Sequence, residues 1–473
     1  MPTDEDKRYV SLERDAASAA SAIVSSKDVL VIAHIDADGI SAAAIASRTL
    51  ERLDIPHEVV FVKKLDDISI DMINKSRTSL VWLVDLGSGY LSSITKQNVI
   101  VADHHVPDPT WMTGQTSLYE FSGMIHVNPH THGIDGSESI SGAGVTYLIS
   151  KMVDEKNKDL AYLAIIGANG DIQDKSDSRL IGYNRKILSD AVENGDIVAD
   201  DDIRLFGRET RPLVQFLQYC NDPVLPLLTS NNQECIRFLS ELRIELKRNG
   251  SWRAWNDLND DEKDNIKISL IELLESSGVS GKDLMGEVYT LPKFRKGSEL
   301  RDAKEFATLL NACGRYDDAP VGMRICLGDV EALNEASKNR SEHKKQLSIA
   351  MNFVKQSNII REKRYIQYFH ARSEIRDTIV GIVVSMLLGA DNIRNDIPMI
   401  AFADSDDGVK VSARADKGLI IKGLDLSVAV KDAAERVGGY GGGHNIAAGA
   451  TIPKGREYDF LRIIEDIIAS QIS

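Results

Sequence analysis

The chain has 473 residues, 43% apolar and 6% aromatic, and its 56 Lys and Arg against 71 Asp and Glu give a formal charge of −15. At about 150 residues per domain there is room for two to four domains, and the acidic balance excludes nucleic-acid binding by a basic whole surface while allowing a local basic groove. Four scattered cysteines without a CxxC pair, a charged opening (MPTDEDKRYVSLERD) and no apolar run of about 18 residues give the expectation of a cytoplasmic chain without secretion signal or membrane helix.

Residues 11–27 read as a leading helix rich in Ala and Ser. A regular alternation follows. Residues 29–33 form a short β-branched run ending in His34, and 39–53 have helical character. Residues 57–62 read as a second strand, 80–84 as a third ending at Asp85, 98–102 as a fourth ending at Asp103, and 124–127 as a fifth. Continuous apolar strands separated by helical stretches are the pattern of a parallel sheet buried on both faces. Segment 1–190 is therefore expected to be a doubly wound α/β domain. Residues 191–335 change character, with acidic stretches and helical runs at 236–248 and 266–275, and read as a mainly helical middle or inserted region. Residues 336–358 lie in one amphipathic connecting helix, and 359–473 read as a smaller, second α/β unit with a helix at 377–388.

Polar residues collect where the apolar strands end. His34-Ile35-Asp36-Ala37-Asp38-Gly39 follows the first strand, Asp85-Leu86-Gly87-Ser88-Gly89 the third, and Asp103-His104-His105 the fourth. Ligands of open parallel sheets bind outside the carboxyl ends of the strands. Gly167-Ala168-Asn169-Gly170-Asp171 adds a carboxylate after an apolar helical stretch, with glycines that allow close backbone approach. Any one of these carboxylates alone reads as a helix cap or turn residue. Together they are like charges that need neutralising, and a pair of divalent cations does this. Oxygen ligands with a minority of imidazoles favour Mn²⁺ or Mg²⁺ over a structural zinc. Such a pair suits water activation for attack on phosphorus.

HIDADG, VDLGSG, ADHH and GANGD, in this order and spacing, resemble the four motifs of the DHH phosphoesterase superfamily. Ser412-Ala413-Arg414 and the Gly438–Gly449 stretch resemble its DHH-associated C-terminal domain. Phe206-Gly207-Arg208-Glu209-Thr210-Arg211-Pro212 and Leu310-Asn311-Ala312-Cys313-Gly314-Arg315 resemble the archaeal RecJ-like exonucleases, including the GINS-associated nuclease branch. The resemblance implies that Asp36, Asp38, Asp85, His104 and Asp171 are metal ligands, with Asp85 bridging and His34 on the first ion. It implies that His105 contacts the scissile phosphate or acts as an acid, and that Asp103 orients a neighbouring imidazole. Ser412, Arg414, Gly441, Gly442, Gly443 and His444 are the implied substrate grip, the glycines reading as a loop whose N–H groups reach phosphate. The implied activity is a two-metal exonuclease on single-stranded DNA or RNA, with Mn²⁺ first and Mg²⁺ second, 5′-to-3′ in direction and tied to replication or repair. The GINS complex and the replisome are the implied partners.

Two other readings stay open. In one, the protein is a replisome scaffold that docks GINS and the helicase through residues 191–335. In the other, it cleaves oligoribonucleotides or cyclic dinucleotides. Segment 338–376 holds ten Lys or Arg against three Glu; with Tyr365, Tyr368 and Phe369 it is either a strand-stacking surface or a solvated helix followed by core aromatics. Around Asn128, His126, His130 and His132 suggest a further metal site, but the resemblance instead implies a loop near the active centre; Ser141–Gly144 reads as a helix N-terminus suited to an anion or a plain cap. Trp252 and Trp255 read as core or as a contact patch.

Overall fold

The apolar runs become five strands, β1 (Val29–His34), β2 (His57–Val62), β3 (Leu80–Val84), β4 (Val99–Ala102) and β5 (Met124–Val127), in a computed structural model. It describes residues 3–108, 123–388 and 393–472, the side chains of residues 282, 283, 340 and 343 excepted. All five strands are parallel, in the order β2-β1-β3-β4-β5. A parallel sheet needs cover on both faces. Val31, Trp82, Val84 and Ile100 face α1 (Asp4–Val24), α2 (Ala37–Arg52), α4 (Gly142–Val153) and α5 (Ala161–Gly170). Ile32, Val81, Leu83 and Val101 point to the other side, where α3 (Asp67–Lys75) contributes Ile73. The leading helix begins earlier than the apolar pattern indicates because Thr3 and Asp6 cap it reciprocally.

The middle region is mainly helical, as expected, with a few short strands added. β6 (Val198–Ile203) and β7 (Met285–Thr290) pair antiparallel beneath a small core around Phe216, Leu239, Trp255 and Leu270. The helix expected over 236–248 is Asn232–Glu241; it stops before Arg243, which takes φ 57°, and the chain turns into a two-rung hairpin. Trp255 is core, while Trp252 is exposed beneath the Lys247 ammonium. Helices α6 (Ala303–Arg315) and α7 (Ala319–Cys326) send Phe306, Leu310, Cys313 and Ile325 into the first domain's core. The first compact unit accordingly spans residues 1–336 and the second 337–473. The connecting helix, α8 (Val330–Ser357), begins before 336.

The second unit is a six-stranded sheet in the order β8-β9-β10-β11-β13-β12: β8 (Arg361–Glu362), β9 (Gln367–His370), β10 (Met399–Ser405), β11 (Gly408–Arg414), β12 (Tyr440–Gly443) and β13 (Ala447–Ile452). Val411, Ala413 and Ala450 pack against α10 (Leu426–Arg436) and α11 (Glu457–Ile472), and Ala401 against α9 (Asp377–Leu387). Phe369 is wholly buried there, so stacking on a nucleic-acid base is not open to it. Gly441, Gly442 and Gly443 are not a loop, as their composition suggests, but an edge strand paired with Ala450, Gly449 and Ala448. A Cβ on Gly441 would lie 2.8 Å from the Ala450 Cβ, so at that position the strand fits only without a side chain. Among the described residues, no helix is long and apolar enough to cross a membrane.

Candidate metal centre

β1, β3 and β4 end side by side, and each delivers its polar residues to one edge of the sheet. β1 closes with His34, and Asp36 caps α2 by accepting from the Gly39 N–H at 3.0 Å. Asp38, in the first turn of α2, is fully buried. Its carboxylate accepts from the N–H groups of Gly142 and Ala143, at 2.6 and 3.0 Å, at the start of α4. The anion anticipated at this helix N-terminus is thus a side chain of the protein itself, with Ser141 also capping through Gly144. Asp85 follows β3 in the left-handed region, φ 61°, a conformation that Asp tolerates better than most residues. Asp171 follows the last turn of α5.

The candidate ligands named from sequence fall into overlapping groups, His34, Asp36 and Asp85, and Asp38, His104 and Asp171, and a third group joins Asp85 and His104 to His105, the residue expected to meet the phosphate. The His34 Nδ1 lies 2.9 Å from Asp36 and 3.6 Å from Asp85. The His104 Nε2 lies 3.4 Å from Asp85, 3.2 Å from Asp171 and 3.8 Å from Asp38. His104 Nδ1 is 2.7 Å from the Gly136 carbonyl, which leaves Nε2 as the lone-pair nitrogen facing the carboxylates. Apart from these imidazole–carboxylate contacts, both Asp85 oxygens, the His104 Nε2 and the His34 Nδ1 are buried without a hydrogen-bond partner among the described residues. Buried polar atoms are ordinarily paired. Ligand atoms gathered in overlapping groups that share Asp85, and satisfied only by one another, fit divalent cations, and carboxylates with few imidazoles fit Mn²⁺ or Mg²⁺.

The electrostatics agree. Burial, with the charges of Asp85 and Asp171, pushes Asp38 well above the usual carboxylate range; burial also raises Asp171, in spite of His104. Against its own burial, Asp85 is held well below that range by His104 and His34. Against theirs, His34 is pushed up to about 11 by Asp36 and Asp85, and His104 well above the usual imidazole range by Asp171 and Asp85. Protons on imidazoles thus neutralise the cluster, and divalent ions would take their place.

Asp103 is buried and plays another part. Its Oδ1 lies 2.8 Å from His105 Nδ1, its Oδ2 accepts from the Ser88 N–H at 2.8 Å, and hydrogen bonding to it raises the pKa of His105, whose side chain is 59% exposed. Several contacts in this frame escape sequence reasoning. Asn128 donates to Ser88 Oγ at 2.8 Å and to the His105 carbonyl at 2.9 Å, while His126 meets Ser88 and His132 meets Asp15. Asn311, in the LNACGR stretch, accepts from the Ala37 N–H at 2.9 Å, and a Cβ on Gly314 would lie 1.8 Å from the Ile35 carbonyl oxygen. That motif braces the Asp36–Asp38 turn. The glycines matter equally: a Cβ on Gly167 would lie 2.2 Å from Asp38 Oδ1, and one on Gly142 2.4 Å from Asp85 Oδ1. Gly142→Ala, which in an ordinary helix start would be harmless, is expected to displace Asp85 and weaken Mn²⁺ binding about tenfold or more. Titration of the variant with Mn²⁺ checks this, and wild-type affinity would contradict it.

In the second unit, Ser412 and Arg414 share the face of β11 opposite Val411 and Ala413, and Ser412, Gly449 and Gly442 form one row across three strands. The row past Ser412 carries no side chain, which leaves bare backbone beside a hydroxyl. The Arg414 guanidinium donates to Ser385 Oγ at 3.1 Å and to the Ala413 carbonyl at 2.8 Å. His444 sits exposed in the turn between β12 and β13, its N–H donating to the Ala447 carbonyl at 2.8 Å.

Comparison with known proteins gives matches along the whole chain. Residues 28–168 match the DHH family N-terminal domain, 205–286 the DHH-CID domain and 364–470 the DHHA1 domain. An uncharacterized protein of Methanocaldococcus jannaschii is 30% identical over 449 residues, 94% of each chain. Among solved structures, RecJ from Thermus thermophilus in complex with Mn²⁺ has a TM-score of 0.56 at 18% identity, over 97% of this chain and 55% of that one. CDC45 from Entamoeba histolytica has a TM-score of 0.62 at 13% identity, over 98% of both. These two likenesses concern the fold.

Proposed function

As this chain belongs to the DHH phosphoesterase family, we propose that it is a metal-dependent exonuclease that hydrolyses phosphodiester bonds of single-stranded nucleic acid. The observation that carries the reading is the clustering of buried ligand atoms of Asp85, His104 and His34 whose neighbours are one another and the carboxylates of Asp36, Asp38 and Asp171. A scaffold needs no such arrangement, because desolvated carboxylates cost stability unless a cation repays them. His34, Asp36 and Asp85 would hold one divalent ion, and Asp38, His104 and Asp171 with Asp85 a second. When bound, the pair would lower the pKa of a water for attack on phosphorus and offset charge on the phosphate oxygens. His105, whose pKa Asp103 raises and which is exposed on its other side, is placed to donate to a phosphate or leaving oxygen.

The face of the second unit that bears Ser412, Arg414 and the glycine row would hold the strand, with backbone N–H groups and the guanidinium meeting phosphates. Arg414→Ala is expected to weaken binding of a single-stranded oligonucleotide and to reduce the slope of log affinity against log salt by about 0.7, the share of one phosphate contact. Mn²⁺ binding should be unaltered; an unchanged salt slope removes Arg414 from the phosphate contacts.

The proposal is tested by a time course with Mn²⁺ on long single-stranded DNA and RNA labelled at either end, beside dinucleotides. Metal-dependent release of mononucleotides from the long strands, from the 5′ end, is the expected result. Much faster cleavage of dinucleotides would transfer the activity to short substrates. No cleavage by folded, metal-loaded protein would favour a replisome scaffold, with the GINS complex as the partner to be tried.

A further inference from the structure

Two residues beyond Asp171 stands Gln173, 3% exposed and outside every motif discussed above. Its main-chain N–H donates back to the Ala168 carbonyl at 3.0 Å, which folds the segment against the end of α5. Its side-chain Nε2 donates to the Gly136 carbonyl at 3.0 Å, the same oxygen that His104 Nδ1 meets at 2.7 Å. A carbonyl oxygen offers two lone pairs, and here both are used. The orientation of the Gln173 amide is fixed from behind, because its Oε1 accepts from Asn184 Nδ2 at 2.7 Å. Asn184 is fully buried and also ties the same loop down, its main-chain N–H donating to the Ser139 carbonyl at 2.8 Å. The loop leaves little slack of its own, since a Cβ on Gly136 would lie 2.1 Å from the His104 carbonyl oxygen.

We propose that Gln173 is a positioning residue for the metal centre: it holds the Gly136 carbonyl on His104 Nδ1 and so keeps the His104 Nε2 lone pair aimed at the cation shared with Asp38 and Asp171. The proposal rests on the metal-site reading above. An imidazole that ligates a metal depends on the partner of its other nitrogen for tautomer and direction. Here that partner is a carbonyl in a glycine-containing loop, and a neutral amide on the Asp171 segment secures it. One short stretch of chain thus supplies a carboxylate ligand and locks the neighbouring imidazole ligand.

The test uses the full-length chain and free Mn²⁺ followed by its electron paramagnetic resonance signal. Gln173→Met preserves length and removes the donor; Asn184→Ser, farther out, frees the amide to turn and serves if the first variant does not fold. Both should lower Mn²⁺ affinity, Gln173→Met by about 10–100-fold, and neither should lower it further in a His104→Ala background. Wild-type affinity in folded Gln173→Met, or an equal additional loss in the His104→Ala background, overturns the proposal, because Gln173 then acts on something other than His104. Absence of Mn²⁺ binding by the unaltered chain would instead remove the metal-site reading itself, and the proposal with it.

Discussion

Asp85→Asn is expected to reduce metal-dependent hydrolysis by about 10³-fold or more, several kcal/mol of transition-state stabilisation, without loss of folding stability. Asp85 is 1% exposed, and its oxygens face only the imidazoles of His34 and His104 among the described residues. Its carboxylate stands within 3.6 Å of both His34 and His104, so both candidate ion positions lose a ligand when it is neutralised. The folded state loses little, because the lost attraction to His34 and His104 is offset by relief of the carboxylate's burial and of its repulsion with Asp38 and Asp171. Asparagine is the appropriate replacement for a second reason: it shares with aspartate a tolerance for the positive φ of 61° found here, whereas alanine would add backbone strain. Initial rates on end-labelled single strands, with urea unfolding of both proteins, check the two halves of this expectation. Activity within tenfold of the wild type would contradict the first, and marked destabilisation the second.

Arg208→Met is expected to have the largest effect on stability, about 3–5 kcal/mol, because it strands buried carboxylates. Arg208 is 5% exposed and donates to Asp302 at 3.0 Å and to Asp202 at 3.1 Å. Asp202 lies on β6 and retains Lys267 at 2.9 Å and the Trp255 indole N–H at 2.8 Å; against burial, these partners with Arg208 hold its pKa near 2. Asp302 has no second ion pair among the described residues, and its other oxygen caps α6 through the Lys304 and Glu305 N–H groups at 3.0 and 3.1 Å. The main penalty therefore falls on Asp302, and Asp302→Asn in the Arg208→Met background should restore part of the loss. Chemical denaturation of the single and double variants measures both. A loss below about 1 kcal/mol in Arg208→Met would place the pair among ion pairs of little consequence.

The candidate ligands were legible because each lies directly after an apolar run, and strand ends in a parallel sheet share one edge. His34, Asp85 and Asp103 needed no more than that. Contacts made across the chain were not legible. The N–H groups of Gly142 and Ala143 that fix Asp38 lie more than a hundred positions away, at separations of 104 and 105, and Asn311 reaches Ala37 across 274. Nothing local marks them. LNACGR and FGRETRP stood out by resemblance, yet their roles as a brace for the Asp36–Asp38 turn and as a buried ion-pair hub emerged from packing alone. The glycines of 441–443 misled for a different reason: glycine has weak strand propensity, and here the close approach of Ala450 outweighs it. Helices α6 and α7 were assigned to the middle region from chain order, but Phe306, Leu310 and Ile325 find their apolar partners in the first core.

The central claim is that this sheet edge holds a pair of divalent cations. An anomalous difference map from crystals of the full chain grown with Mn²⁺ addresses it directly. Two peaks about 3.5–4 Å apart, one against His34 and Asp36, one against Asp38, His104 and Asp171, with Asp85 touching both, are the predicted result. An empty sheet edge in protein soaked to saturation, or manganese bound only elsewhere on the chain, would contradict it.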